Sequence, residues 1–230
     1  MQAFNISIDN KNIYAVYNTC QNINVISKNI LREMGVEAED ETEVVIEKIA
    51  FPNGIVMNNV VFHAVDYEDF GIPVRLGMLI FNEYNVLVSY KQNKILLYNK
   101  NETQDFLNSW ILAEPVFTEE GLYVYGKVEG SRETYLFNMG TSSSLYFGGF
   151  INRHYSLALK SKIPIASFFK SAIFIGGKKY KNIYFFNSLS DEDKEKYNLL
   201  NVQTDIILGY NFFQKYDLFI DNKNMKIYLE

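Results

Sequence analysis

Apolar and polar residues alternate along short stretches of this chain, and turn-forming residues separate the stretches. FNISI and IYAVY (residues 4–8 and 13–17) alternate on either side of the polar tetrad at residues 9–12, which predicts a β-hairpin. The run IAFPNGIVMNNVVFHAV places a Pro-Asn-Gly turn between two strand-like segments, and SAIFIGGKKYKNIYFF does the same with Gly-Gly-Lys. A string of short strands joined by tight turns is typical of an all-β barrel or sandwich.

A short helix is predicted in the stretch ISKNILREMG. Ile26, Ile30 and Met34 recur at every fourth residue, which is the spacing of one helix face. Gly35 follows directly and is well placed as the C-terminal cap. The pattern therefore predicts an all-β fold with a few short helices.

The end of the chain repeats an earlier stretch. VRLGMLIFNEYNVLVSYKQNKILLY (residues 74–98) aligns without a gap with IILGYNFFQKYDLFIDNKNMKIYLE (residues 206–230), so that Gly77 matches Gly209 at an offset of 209 − 77 = 132. Upstream, Asn18 matches Asn138 at an offset of 138 − 18 = 120. Two blocks in register predict an internal duplication, and the larger downstream offset predicts insertions in the second copy.

The repeat predicts a division of the chain into two halves and a connection. The N-terminal half covers residues 1–100, the connecting segment residues 101–118, and the C-terminal half residues 119–230. Apolar residues of the connection fall at helical spacing and predict a partly helical segment that Pro115 ends; they are Phe106, Leu107, Trp110 and Ile111.

Composition and charge narrow the classes of function. The net charge of −5 argues against nucleic acid as a partner, because phosphate binding requires a basic surface. One cysteine and two histidines allow neither an internal disulfide nor a multi-cysteine zinc site, and we expect no metal and no cofactor. No apolar run approaches the ~20 residues that span a bilayer. The N-terminus lacks the pattern of a signal peptide, so we expect a cytoplasmic protein or a mature exported form.

Two motifs, each present twice, carry a resemblance to a known family. AVYNTC and YLFNMG place Asn18 and Asn138 at predicted turns after apolar strands, and RLGMLIF and ILGYNFF each hold Leu-Gly where an apolar-apolar-glycine signature ends. In this order and spacing, over nearly the whole chain, the motifs resemble the aspartic proteases of the retropepsin type, with both halves on one chain. The resemblance implies the acid-protease (retropepsin/pepsin-like) fold, with two β-barrel lobes, a pseudo-twofold axis and a cleft between the lobes. Its apolar-apolar-glycine residues here are Leu76, Gly77, Leu208 and Gly209.

The same resemblance implies that catalysis has been lost. The family's Asp-Thr-Gly turns bring together two carboxylates that share a proton, so that one acts as a base and the other as an acid. Asn18 and Asn138 stand at those positions, and an amide cannot titrate in that way. The neighbouring turn residues are Thr19 and Cys20 in the first half, and Met139, Gly140 and Thr141 in the second. Of these, Cys20 replaces a glycine of the family's turn, and Met139 replaces its threonine.

Three functions are compatible with this pattern. The first is a pseudoprotease that binds a peptide or protein through the cleft or a sheet edge, as a monomer containing an intramolecular pseudo-dimer. The second is an active aspartic endopeptidase seen as an engineered Asp→Asn variant, although such engineering would not explain Cys20 or Met139. The third is an enzyme with Cys20 as nucleophile, which would need a nearby base; a small buried thiol is the commoner situation.

Overall fold

The structure is a computed structural model, and it is described here for most of the chain. The described residues are 3–19, 22–39, 42–66, 71–102, 104–118, 121–128, 131–137, 144–146, 168–187 and 206–230. Strands dominate them, and the helices are short: α1 (Lys28–Glu33), α2 (Tyr210–Phe213) and the 3₁₀ helices η1 (Met78–Phe81) and η2 (Asp105–Ser109). The predicted all-β class with a few short helices is confirmed. None of the described helices has the length and apolar character needed to cross a membrane.

The first six strands close into a barrel. They pair in the order β1-β2-β6-β3-β5-β4, and their bounds are β1 (Phe4–Ile8), β2 (Lys11–Asn18), β3 (Val25–Ser27), β4 (Glu43–Ala50), β5 (Val56–Val65) and β6 (Val74–Gly77). The predicted hairpin of β1 and β2 is present, with Ile8 opposite Lys11. Asp9 and Asn10 both have positive φ, 45° and 69°, as the two-residue type I′ turn requires.

Helix α1 follows β3 and is capped at both ends. The Ser27 side chain accepts a hydrogen bond from the Asn29 N–H at 3.1 Å. At the other end Gly35 has φ 78°, and its N–H donates to the Arg32 carbonyl while the Val36 N–H donates to the Leu31 carbonyl. This is a Schellman motif, so Gly35 ends the helix as predicted.

A second ring of strands has the same order as the first. It runs β11-β15-β12-β14-β13-β10, and β10 also pairs with β11; the bounds are β10 (Gly121–Val128), β11 (Ser131–Phe137), β12 (Ser144–Tyr146), β13 (Phe168–Ile175), β14 (Lys178–Asn187) and β15 (Ile206–Leu208). The register recurs as well. Ala15 lies opposite Val74 in the parallel pair β2–β6, and Tyr135 lies opposite Ile206 in the parallel pair β11–β15. These are the positions related by 135 − 15 = 120 and 206 − 74 = 132.

A sheet of five strands joins the two rings. Its order is β9-β17-β16-β7-β8, with β7 (Tyr84–Ser89), β8 (Lys94–Asn99), β9 (Ile111–Thr118), β16 (Leu218–Asp221) and β17 (Lys226–Leu229). At its centre β7 pairs with β16, and Leu87 lies opposite Phe219. These two residues are themselves related by the offset 219 − 87 = 132. A local twofold axis therefore passes between them.

The predicted connecting segment is helical only in part. Residues 105–109 form η2, and β9 begins at Ile111. Pro115 does not end the segment, because it lies inside β9 opposite Val124. The strand changes partner at this point: residues 111–113 pair with β17 and residues 114–118 with β10. Pro115 lies just beyond the part that pairs with β17, where a missing N–H is tolerated. The proposed boundaries of the halves stay a prediction.

Candidate functional site

Asn18 lies at the end of β2, beside the apolar-apolar-glycine motif of β6. The parallel register places Tyr17 opposite Leu76 and Asn18 opposite Gly77. Tyr17 and Leu76 are buried, and Asn18 is half-buried. The apolar strand residues fix β2 in the barrel, so the polar residue that follows them is held at the barrel's end. The structure thus brings together three of the predicted site residues: Asn18, Leu76 and Gly77.

Thr19 links this turn to the second ring. Its side chain is fully buried, and its carbonyl oxygen accepts a hydrogen bond from the Leu122 N–H at 3.1 Å. Leu122 lies at the start of β10, so the backbone of the first turn is attached to the first strand of the other ring. Cys20, the next predicted site residue, lies outside the described residues.

Gly77 is needed because the chain passes directly over it. A Cβ atom at this position would lie 2.5 Å from the Ile23 carbonyl oxygen and 2.6 Å from the Asn22 carbonyl oxygen. Both obstacles are backbone atoms, which cannot swing aside as a flexible side chain could. The glycine of the motif therefore allows residues 22–24 to fold back onto β6.

Asn24 fixes residues 22–24 against the barrel through hydrogen bonds, and the sequence did not predict this role. Its Oδ1 accepts a hydrogen bond from the Gly77 N–H at 2.9 Å, and its Nδ2 donates to the Val61 carbonyl at 3.0 Å. The Asn24 carbonyl also accepts from the His63 N–H at 2.8 Å. A single side chain so joins the turn to β5 and β6. The only signal in the sequence is the polar run QNIN after the turn, which has no period that singles out Asn24.

The equivalent strands of the second ring are β11, which precedes the predicted second turn in the sequence, and β15. Phe137 lies opposite Leu208 in the parallel pair β11–β15, as Tyr17 lies opposite Leu76 in the first ring. Leu208 and Gly209 are buried, and the Gly209 carbonyl accepts from the Phe212 N–H in the first turn of α2. The remaining predicted residues of this turn, which are Asn138, Met139, Gly140 and Thr141, lie outside the described residues.

Among the predicted site residues that the structure describes, Asn18 and Thr19 carry the polar side chains, and both side chains can form hydrogen bonds. An amide supplies one acceptor oxygen and two donor hydrogens, but it neither takes up nor releases a proton near neutral pH. Within the part of the chain that the structure describes, no group of three or more His, Cys, Asp or Glu side chains could hold a metal ion.

Comparison with known proteins identifies the architecture. No family model and no curated protein matches the chain, but solved structures do. An aspartic proteinase from Irpex lacteus aligns with 99% of this chain and 93% of its own, with a TM-score of 0.63 and 10% sequence identity. The chain has the acid-protease fold. A retropepsin-like aspartic protease from Rickettsia conorii also matches, over 52% of this chain and 87% of its own, with a TM-score of 0.36 and 18% identity.

The resemblance carried by the sequence motifs is therefore confirmed for the fold. In this acid-protease fold, the first closed barrel ends at Asn18 and Gly77, which pair across β2 and β6. An identity of 10% says nothing about activity, because one fold can carry many functions and the residues of the site must decide.

Proposed function

We propose that this chain is a catalytically inactive homologue of the aspartic proteases, a pseudoprotease that acts as a binding or scaffold module. The observation that carries the proposal is the position of Asn18. It ends β2 opposite Gly77 in an acid-protease fold, where the family's motif has a catalytic aspartate. The backbone at Asn18 follows the buried, paired residues Tyr17 and Leu76, which is compatible with a retained recognition surface.

The loss of the carboxylate removes the acid–base step. Peptide hydrolysis on this fold needs one group that takes a proton from water and one that gives a proton to the scissile carbonyl. General acid–base catalysis alone contributes roughly 10²–10⁴-fold, and Asn18 can supply neither role. The family turn also differs at Cys20 and Met139, so the change is wider than a single substitution.

An internal duplication extends the proposal to Asn138. The strand order of the two rings is the same, and the pairs β2–β6 and β11–β15 share one register. This recurrence supports two retropepsin-like halves on one chain, with Asn138 following β11 as Asn18 ends β2. We expect the two amides to stand in place of the two aspartates.

A peptidase assay with matched variants tests the proposal. The wild-type chain is incubated with a mixed peptide library from acid to neutral pH, and products are measured by mass spectrometry. We expect no turnover in the wild type or in Asn58→Ala, an exposed residue of β5 that serves as the control. Turnover by the wild type that is lost in Asn18→Ala or Asn138→Ala, and kept in Asn58→Ala, would overturn the proposal.

A further inference from the structure

Strand β8 forms an open edge of the joining sheet. It pairs with β7 along its whole length, and it is the last strand in the order of that sheet. No other strand of the described chain pairs with it. A strand in this position can pair with a further strand through its outer N–H and C=O groups.

The repeat-related strand β17 is covered on the corresponding side. Lys226 begins β17 as Lys94 begins β8, at an offset of 226 − 94 = 132. β17 pairs with β16 on one side and with β9 on the other, where Leu229 lies opposite Ile111 and Ile227 opposite Ala113. β9 therefore shows how a strand would lie beside β8.

In the first half, the turn between β4 and β5 occupies part of the position beside β8 that corresponds to the position of β9 beside β17. The side chain of Asn53 donates a hydrogen bond from Nδ2 to the Leu97 carbonyl oxygen of β8. Leu97 is the counterpart of Leu229, which faces β9. The Asn53 side chain therefore occupies the Leu97 carbonyl, which a neighbouring strand could otherwise bond. Asn53 is exposed, so its side chain can rotate away.

The corresponding turn of the second ring leaves room for a strand. It consists of Gly176 and Gly177, between Ile175 and Lys178. A Cβ atom at Gly176 would lie 2.3 Å from the Leu112 carbonyl oxygen of β9. The Gly176–Gly177 turn therefore packs closely against β9. The turn that holds Asn53 lies beside β8, which has no such neighbour among the described strands.

We propose that the edge of β8 binds an extended peptide segment of a partner protein by strand addition. The segment lies antiparallel to β8 opposite residues 95–97, and the Asn53 amide releases Leu97 when it binds. This rests on the proposed function as a binding module, and it names the surface and the partner. Main-chain hydrogen bonds supply affinity in this mode of recognition, and alternate side chains supply specificity.

The chemistry of the segment follows from β9. The bound segment carries an apolar residue opposite Leu97, because Ile111 lies opposite the equivalent Leu229. It carries a small residue opposite Ile95, because Ala113 lies opposite the equivalent Ile227. Glu114 follows Ala113 in the sequence, and Lys94 is exposed at the start of β8. An acidic residue after the small one would therefore face a basic side chain.

The chain's own β9 sequence provides the probe. A capped, labelled peptide Trp-Ile-Leu-Ala-Glu, the sequence of residues 110–114, is titrated with the folded protein and followed by fluorescence anisotropy. The same peptide with proline in place of Ile and Ala is the control, because proline removes two main-chain donors. We expect saturable binding of the first peptide and at least tenfold weaker binding of the second. Hydrogen exchange should slow at residues 94–99 when the first peptide binds.

Variants of the turn test the role of Asn53. Removing one hydrogen bond that competes with the peptide should tighten binding by about 2- to 10-fold in Asn53→Ala, while Asn58→Ala in the same hairpin should leave it unchanged. Any of four results would overturn the inference. They are equal effects of the two variants, equal binding of both peptides, protection from exchange outside residues 94–99, and pairing of two copies through β8 in place of peptide binding. The peptidase assay is independent: a failure of peptide binding leaves the loss of catalysis standing, and turnover leaves the strand-binding result standing.

Discussion

Substitution of Gly77 by alanine should destabilise the first barrel through a steric clash with the backbone of residues 22 and 23. The new Cβ atom would lie 2.5 Å from the Ile23 carbonyl oxygen, 2.6 Å from the Asn22 carbonyl oxygen and 2.7 Å from the Asn22 carbonyl carbon. All three distances are shorter than atoms tolerate, so residues 22–23 must move away from β6. The φ of Gly77 lies outside the left-handed region. The cost is therefore one of packing and not of backbone conformation.

The magnitude follows from what holds residues 22–24 in place. Overpacking in a closely packed region costs typically about 1–3 kcal/mol. Lifting the segment also strains the Gly77–Asn24 bond of 2.9 Å and the Asn24–Val61 bond of 3.0 Å, and a hydrogen bond contributes about 0.5–1.5 kcal/mol. We expect a total loss of about 2–4 kcal/mol in the free energy of unfolding. For a chain of this size that lowers Tm by roughly 4–16 °C.

Thermal unfolding followed by circular dichroism measures this loss, and a double-mutant cycle tests its cause. If Asn24 fixes the segment, Gly77→Ala should cost at least about 1 kcal/mol less in an Asn24→Ala background, because the segment can then move away. Gly54→Ala is the contrasting control, since Gly54 has φ 84° and open space around it; its cost of about 1–2 kcal/mol comes from the backbone alone and should not depend on Asn24. A Tm for Gly77→Ala within 2 °C of the wild type, or additive effects in the cycle, would refute the reasoning.

Three further predictions concern the second ring, a buried acid and the asparagine pair. Gly176→Ala should lower Tm more than Gly177→Ala, since both have positive φ but only Gly176 lies against β9; parallel melts of the two variants check this. Burial raises the pKa of the Asp217 carboxyl above 3.8, so its contribution to stability is complete below that pH and is lost as pH rises through the raised value. Asp217→Asn should therefore be more stable than the wild type at pH 7, with a gap that narrows toward pH 4 in urea titrations; a gap independent of pH contradicts this. If positions 18 and 138 face each other as proposed, Asn18→Asp combined with Asn138→Asp should lower Tm at neutral pH, because two facing carboxylates repel and lose hydration; an unchanged or higher Tm counts against the account.

Features that depend on neighbouring residues were predictable from the sequence. The turn at Asp9 and Asn10 and the helix end at Gly35 follow from local conformational preferences, and both have the expected positive φ. The repeat also showed which glycines matter, since Gly77 was singled out with its motif. The reason for a glycine at position 77 follows only from the fold, because residues 22–23, more than 50 positions away in the sequence, pass over Gly77.

Features that depend on distant partners were not predictable in this way. Asn24 bonds to Gly77 across 53 positions, and no pattern in QNIN distinguishes it from its neighbours. The helical spacing of residues 106–111 was misleading beyond η2, because pairing with β17 and β10 favours a strand from Ile111 onward. Pro115 is normally a signal that an element ends, but it is accommodated where β9 changes partner. Tertiary contacts outweigh local preference at such positions.

The pairing of Leu87 with Phe219 has a consequence for how the chain folds during synthesis. The pairs that close the first barrel all lie within residues 4–77, so that barrel can form early. The partner of β7 at the centre of the joining sheet, however, is made 132 positions later, since 219 − 87 = 132. At roughly 5–20 residues per second, β16 is synthesised about 7–26 s after β7. Over that interval one edge of the β7–β8 hairpin lacks its partner strand, and a chaperone that shields exposed strand edges would act at this stage.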